Sequence, residues 1–123
     1  MAKEPRFNCG IDAAMSVIEG RWKCTILCLL ARNGEMRFSE ILKTIGVIST
    51  RMLSRQLKEL EGDGMINRII HDDSSVKVSY SLTAKGESIL PVLIGLAQWG
   101  SENMFNNLVK IDIPNDSSLL NGH

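Results

Sequence analysis

Residues 49–64 read STRMLSRQLKELEGDG, and this stretch decides the fold. Leu53, Leu57 and Leu60 stand at i, i+4 and i+7, the spacing of one apolar helix face. Arg51, Arg55 and Lys58 repeat that spacing two residues earlier. Two residues are about 200° of rotation on a helix, so the cations lie opposite the leucines, with Ser54 on their side. Ser49 or Thr50 supplies an N-cap, and Gly62 or Gly64 a stop. The result is a short helix clamped by leucines with a cationic, hydroxyl-bearing outer face. A solvated surface helix has the same pattern. A major-groove recognition helix needs it, because Arg and Lys reach phosphates and guanine edges and Ser and Thr reach either. The flanking segments decide between the two.

Upstream, Met36, Arg37 and Phe38 suggest a very short strand. Ser39 is placed to cap a helix carrying Ile41, Leu42 and Ile45, closed by Gly46. Val47 and Ile48 then lead straight into the basic helix. Two helices joined by so short a turn make a helix-turn-helix. Downstream of Gly64 the apolar period changes from helical to alternating. Ile66, Ile69 and Ile70 mark one strand, Asp72 to Ser75 a turn, and Val76, Val78, Tyr80 and Leu82 a second strand. A hairpin directly after a helix-turn-helix is a wing, here residues 65–82 with its tip at 72–77.

The outer segments complete the plan. Ile11, Ala14, Met15 and Ile18 predict a first helix ended by Gly20. Residues 22–33 are apolar nearly all round, as a buried central helix is. Thr83 caps a last helix over about 84–108, in which Pro91 demands a kink or break. Trp99 and Phe105 lie past the wing, where a lone domain has little core left to fill, so they point to a partner. The fold class expected is mainly α with a small β-hairpin wing: a single winged helix-turn-helix domain over 1–110 with helices at both ends for dimerisation. A polar tail over 111–123 is expected to be disordered.

Composition sets limits. With 123 residues and 44% hydrophobic content, one domain can bury a core without disulfides. Fourteen basic residues balance fourteen acidic ones, but residues 20–60 hold eight basic against three acidic. A locally basic half suits a DNA-binding face. No apolar run spans a membrane and residues 1–8 lack a hydrophobic leader, so a cytoplasmic protein with no membrane partner is expected. There is no G-x-S-x-G, P-loop or H-E-x-x-H pattern, and no catalytic residue, cofactor or enzyme activity is expected.

The candidate DNA contacts are Ser49, Thr50, Arg51, Ser54, Arg55 and Lys58. Lys77 near the wing tip is either a phosphate contact or a solvated charge. Arg37 and Lys23, near helix starts, are weaker additions, and Arg68 reads as a surface residue. Cys9 directly precedes the first helix, where backbone donors favour a thiolate; an inert half-buried thiol suits the position as well. Cys24 and Cys28, at i, i+4 on the apolar helix, read as core. No ligand set with zinc spacing accompanies them, since the two histidines are His71 in the hairpin and His123 at the end.

Several of these segments resemble the HxlR-type transcriptional regulators of the MarR-like superfamily. The resemblance is carried by Gly20-Arg21-Trp22-Lys23, Arg37-Phe38-Ser39-Glu40, Ile48-Ser49, Leu57-Lys58-Glu59-Leu60 with Asp63-Gly64, and Tyr80-Ser81-Leu82-Thr83 with Lys85-Gly86. It runs from about residue 9 to 104. It implies a homodimer on double-stranded DNA with a pseudo-palindromic operator, acting as repressor or activator. The first and last helices would make the dimer contact, through Ile11, Met15, Leu93, Trp99 and Phe105. It also implies sensing of oxidants, electrophiles or aldehydes, with Cys9 as the sensor thiol. One departure is in the wing, where Ser74 and Ser75 stand in place of the family's frequent prolines. Two other readings remain: a winged-helix protein-interaction module, and a metal-sensing repressor using Cys24 and Cys28.

Overall fold

The computed structural model describes residues 6–71 and 77–104. The elements run α1 (Gly10–Ile18), α2 (Lys23–Asn33), β1 (Met36–Arg37), α3 (Phe38–Ile45), α4 (Thr50–Gly62), β2 (Ile66–Ile70), β3 (Val78–Leu82), α5 (Ala84–Ser88) and α6 (Leu90–Met104). The three strands form one antiparallel sheet in the order β1-β3-β2. The mainly helical winged helix-turn-helix is the fold that the leucine stripe and the change of period predict. The turn at 72–76, the tail and Phe105 lie outside the described residues.

The core is built around α2. Ile26, Leu27, Leu29 and Leu30 are all buried, and the helix packs against α4, α6 and β3. Leu53, Leu57 and Leu60 of α4 close one side at 1% exposure or less. A leucine so buried stabilises the fold by roughly 2 kcal/mol. These three side chains therefore fix which face of α4 turns outward.

One helix boundary differs from the sequence reading, and the break expected near Pro91 is present. α3 begins at Phe38, with Arg37 as its N-cap instead of Ser39; the Arg37 N–H donates to Glu40 Oε1 at 2.8 Å. β1 thus runs into α3 without a linker. The last helix is two helices, α5 and α6, parted at Ile89. Pro91 explains the break, since its ring would strike the carbonyl four residues back and it has no N–H to offer. In the first turn of α6 that missing donor costs nothing.

α6 is apolar on two sides. Leu90, Leu93 and Ile94 are buried in the core, while Val92, Leu96 and Trp99 are each more than half exposed. Leu93, expected at a dimer contact, is 3% exposed and fills the core of this chain. The outward positions of α6 lie on the other stripe.

Candidate nucleic-acid interface

Helix α4 is held at both ends. At its start, Ser49 has extended backbone and its Oγ accepts from the Met52 N–H at 3.0 Å. Such a cap is worth about 1 kcal/mol. At its end, Gly64 has φ +77°. The Met65 N–H donates to Leu60 O at 2.9 Å and the Gly64 N–H to Glu61 O at 2.9 Å, a Schellman motif. Leu60 and Met65, both buried, supply its apolar contact. Thr83 Oγ1 then donates to Gly64 O at 2.6 Å and Lys85 Nζ to Asp63 O at 2.8 Å. The stem of the wing and the recognition helix are thereby fixed to one another.

With the leucines inward, Thr50, Arg51, Ser54, Arg55 and Lys58 are all exposed on α4, and Ser49 is exposed at its cap. The turn from α3 is only residues 46–49, with Ile48 buried beneath it. Arg37 is exposed at the start of α3. Lys77 is exposed where the second strand begins, and its carbonyl accepts from the His71 N–H at 3.0 Å.

Lys23 is the exception. It is 5% exposed, and its Nζ lies 2.9 Å from Glu59 Oε1 on α4. A cation buried and paired inside the domain cannot reach a phosphate, so Lys23 leaves the set of candidate DNA contacts. It braces α4 from behind instead. Gln56, also buried, does the same: its Oε1 accepts from the Trp22 N–H at 3.3 Å.

The base of the wing has a polar tie that alternation alone did not reveal. Alternation with Val78, Tyr80 and Leu82 would turn Ser79 outward on β3, yet it is 1% exposed. Its hydroxyl donates to Glu35, in the turn before β1, and lies 3.0 Å from His71 Nε2. His71 Nε2 is also 3.3 Å from Glu35 Oε2. The only sequence signal was a serine flanked by strand residues, with its partners 8 and 44 residues away.

The thiols divide by exposure. Cys9 is exposed at the N-cap of α1. Burial pushes the Cys24 thiol up, and burial together with neighbouring Cys24 pushes Cys28 up to about 11. Metal binding needs thiolates. Among the described residues no three His, Cys, Asp or Glu side chains gather into a metal site. Cys28 is buried in the core and Cys24 packs against it from α2. No helix among the described residues is long and apolar enough to cross a membrane.

Comparison with known proteins agrees with this geometry. The profile of the HxlR-like helix-turn-helix family matches residues 17–107. An HTH-type transcriptional regulator of Methanothermobacter thermautotrophicus is 42% identical over 97 residues, which are 79% of this chain and 73% of that one. The redox regulator HypR in its reduced form superposes with a TM-score of 0.72 at 30% identity, covering 81% of this chain and 100% of that one. Quinone-bound YodB from Bacillus subtilis gives a TM-score of 0.64 at 34% identity, covering 75% and 96%. The chain belongs to the HxlR-like helix-turn-helix family of DNA-binding transcriptional regulators.

Proposed function

We propose that this protein is a homodimer that binds a pseudo-palindromic operator in double-stranded DNA. α4 enters the major groove and the wing reaches the neighbouring minor groove. The observation that carries this reading is the joint exposure of Thr50, Arg51, Ser54, Arg55 and Lys58 on a helix capped and anchored at both ends. A protein-interaction module has no use for that basic stripe. Arg51 and Arg55 carry the base reading, Ser49 and Thr50 bind phosphate at the helix start, and Arg37 and Lys77 extend the contact. The outer stripe of α6, with Ile11 and Met15 of α1, pairs with its copy in the second protomer. Two recognition helices then face half-sites one DNA turn apart, or a multiple of it.

A thiol-based response is part of the same reading. Cys9 is exposed and begins the helix that carries Ile11 and Met15, so a modification there bears directly on the dimer contact. Structural relatives include a redox regulator and a quinone-bound regulator. The effector is accordingly an oxidant or electrophile, and the response is a change in recognition-helix spacing.

The test is an anisotropy titration on DNA upstream of the protein's own and adjacent genes, reduced and then treated with diamide or an aldehyde. Tight, salt-sensitive binding should be lost in the double variant Arg51→Ala, Arg55→Ala. The response to treatment should vanish in Cys9→Ser. Unchanged affinity and salt dependence in the double variant would sink the DNA reading. An unaltered response in Cys9→Ser would remove the thiol switch alone.

A further inference from the structure

Between α4 and the sheet lies a cleft of about 560 Å³. Ser54, Lys58 and Glu61 line it from the helix, Arg68 from β2, and Phe38 and Tyr80 lie along it. The sheet register decides the place of Arg68. It stands directly opposite Tyr80, so both side chains share the sheet face toward α4. Lys58 and Arg68 are exposed, and no ion pair among the described residues engages either one. Two cations and a hydroxyl line one groove with a single carboxylate, Glu61, so the cleft carries a net positive charge suited to an anion.

The position of the cleft names the anion. It separates the helix that would enter the major groove from the hairpin that would reach the minor groove. In a duplex the feature separating those grooves is the sugar–phosphate backbone. Arginine and lysine at that place neutralise phosphates without reading bases. We propose that Lys58 and Arg68 form a phosphate-gripping cleft that sets the register of the protein on the duplex, with Ser54 as a neutral donor. Base discrimination is left to Arg51 and Arg55. Glu61, in the same cleft, opposes the phosphate and holds affinity below its maximum. This inference rests on the DNA-binding reading and adds Arg68, a strand residue, and Glu61, a carboxylate, to its machinery.

The experiment uses the full chain, a duplex selected by the wild type from a randomised pool, and a scrambled duplex of equal length. Affinities are measured between about 50 and 200 mM salt. Arg68→Ala should weaken binding roughly tenfold on both duplexes and reduce the salt slope by about 1. Arg68→Lys should keep the slope. Glu61→Gln should tighten binding to both, an increase that a misfolded variant cannot mimic. The preference for the selected duplex should stay constant throughout. A wild-type slope in Arg68→Ala, or no gain in Glu61→Gln, overturns the cleft while leaving the DNA reading intact. A wild type that selects no sequence overturns the DNA reading, and the cleft falls with it.

Discussion

Lys23 Nζ sits 2.9 Å from Glu59 Oε1, and Arg55 Nε approaches the other oxygen of the same carboxylate at 3.4 Å. One carboxylate thus joins a buried cation at the start of α2 to an exposed cation on the recognition face. Lys23 is 6% exposed in its side chain, Glu59 42% and Arg55 71%, so the chain of charge runs from core to surface. Lys23, through its hydrogen bond and then its charge, holds the Glu59 carboxyl below the usual carboxylate range, against the pull of desolvation; Arg55 adds to the lowering.

The sign of the pH effect follows. A carboxyl with a lower pKa folded than unfolded takes up its proton first in the unfolded chain. Its contribution is full above about pH 5 and is lost as pH falls through the folded value. Urea unfolding of the wild type should therefore weaken below that pH more steeply than that of Glu59→Gln. At neutral pH Glu59→Gln should cost about 1 kcal/mol, because it leaves Lys23 buried with a weaker partner and because the pair is half open to water. Lys23→Met should cost less, since it removes the buried charge itself. Equal unfolding of wild type and Glu59→Gln at both pH values would show that the pair contributes nothing.

Gly86 gives a second prediction, based on close approach. A Cβ at that position would lie 2.1 Å from the carbonyl oxygen of Met65, the residue that ends the Schellman motif of α4. Gly86→Ala must push α5 away from the wing stem, at a cost of about 3 kcal/mol. Gly62, in the last turn of α4, has nothing within 4 Å of such an atom. Gly62→Ala should be stabilising by roughly 0.5 kcal/mol, through helix propensity. Chemical denaturation of the two variants checks the pair. A neutral Gly86→Ala would mean that α5 and the wing stem are not held together as described.

What could be read in advance was local. The leucine stripe of α4, the turn at Gly46 and the break at Pro91 depend on spacing within one or two helical turns. Lys23 looked like a surface cation because its partner lies 36 positions away, and nothing near Trp22 announces it. Ser79 looked outward because alternation assumes one wet face, whereas β3 is the central strand with Glu35 arriving across it. The resemblance places Leu93 at a dimer contact, but α6 carries two apolar stripes, and only packing says which one faces home. Arg68 gained a place in a cleft from strand register, which its own neighbours do not encode.

The three thiols should differ sharply in reactivity. At pH 8 a thiol with a pKa of about 11 is thiolate in only about one molecule per thousand, and burial also shields Cys28 from reagent. Cys24, half-buried with its Sγ 3.8 Å from Ile18 O, is raised in the same direction. Iodoacetamide should label native protein once per chain, at Cys9. Cys24 and Cys28 should follow only after unfolding in guanidinium. Peptide mapping by mass spectrometry reads the sites directly, and rapid labelling of Cys28 in native protein would contradict the packing of α2.

Val92, Leu96 and Trp99 recur at i, i+4 and i+7 on α6, at 54%, 52% and 62% exposure. On α1, Ile11 is 76% and Met15 42% exposed, so both terminal helices carry apolar side chains that their own core does not cover. In a dimer built on these stripes Trp99 is the largest buried group, and tryptophan truncations at such centres commonly cost 2 kcal/mol or more. Trp99→Glu should therefore weaken dimerisation on the order of 30-fold or more. Helical content should stay at the wild-type level, because the core side of α6, Leu90, Leu93 and Ile94, is untouched. Sedimentation at micromolar concentration should show a dimer for the wild type and a shift to monomer for the variant. Operator binding should then become steeper in protein concentration, since two monomers must assemble on the DNA. A wild type that sediments as a monomer would separate the apolar stripe from dimer formation and leave it to another partner.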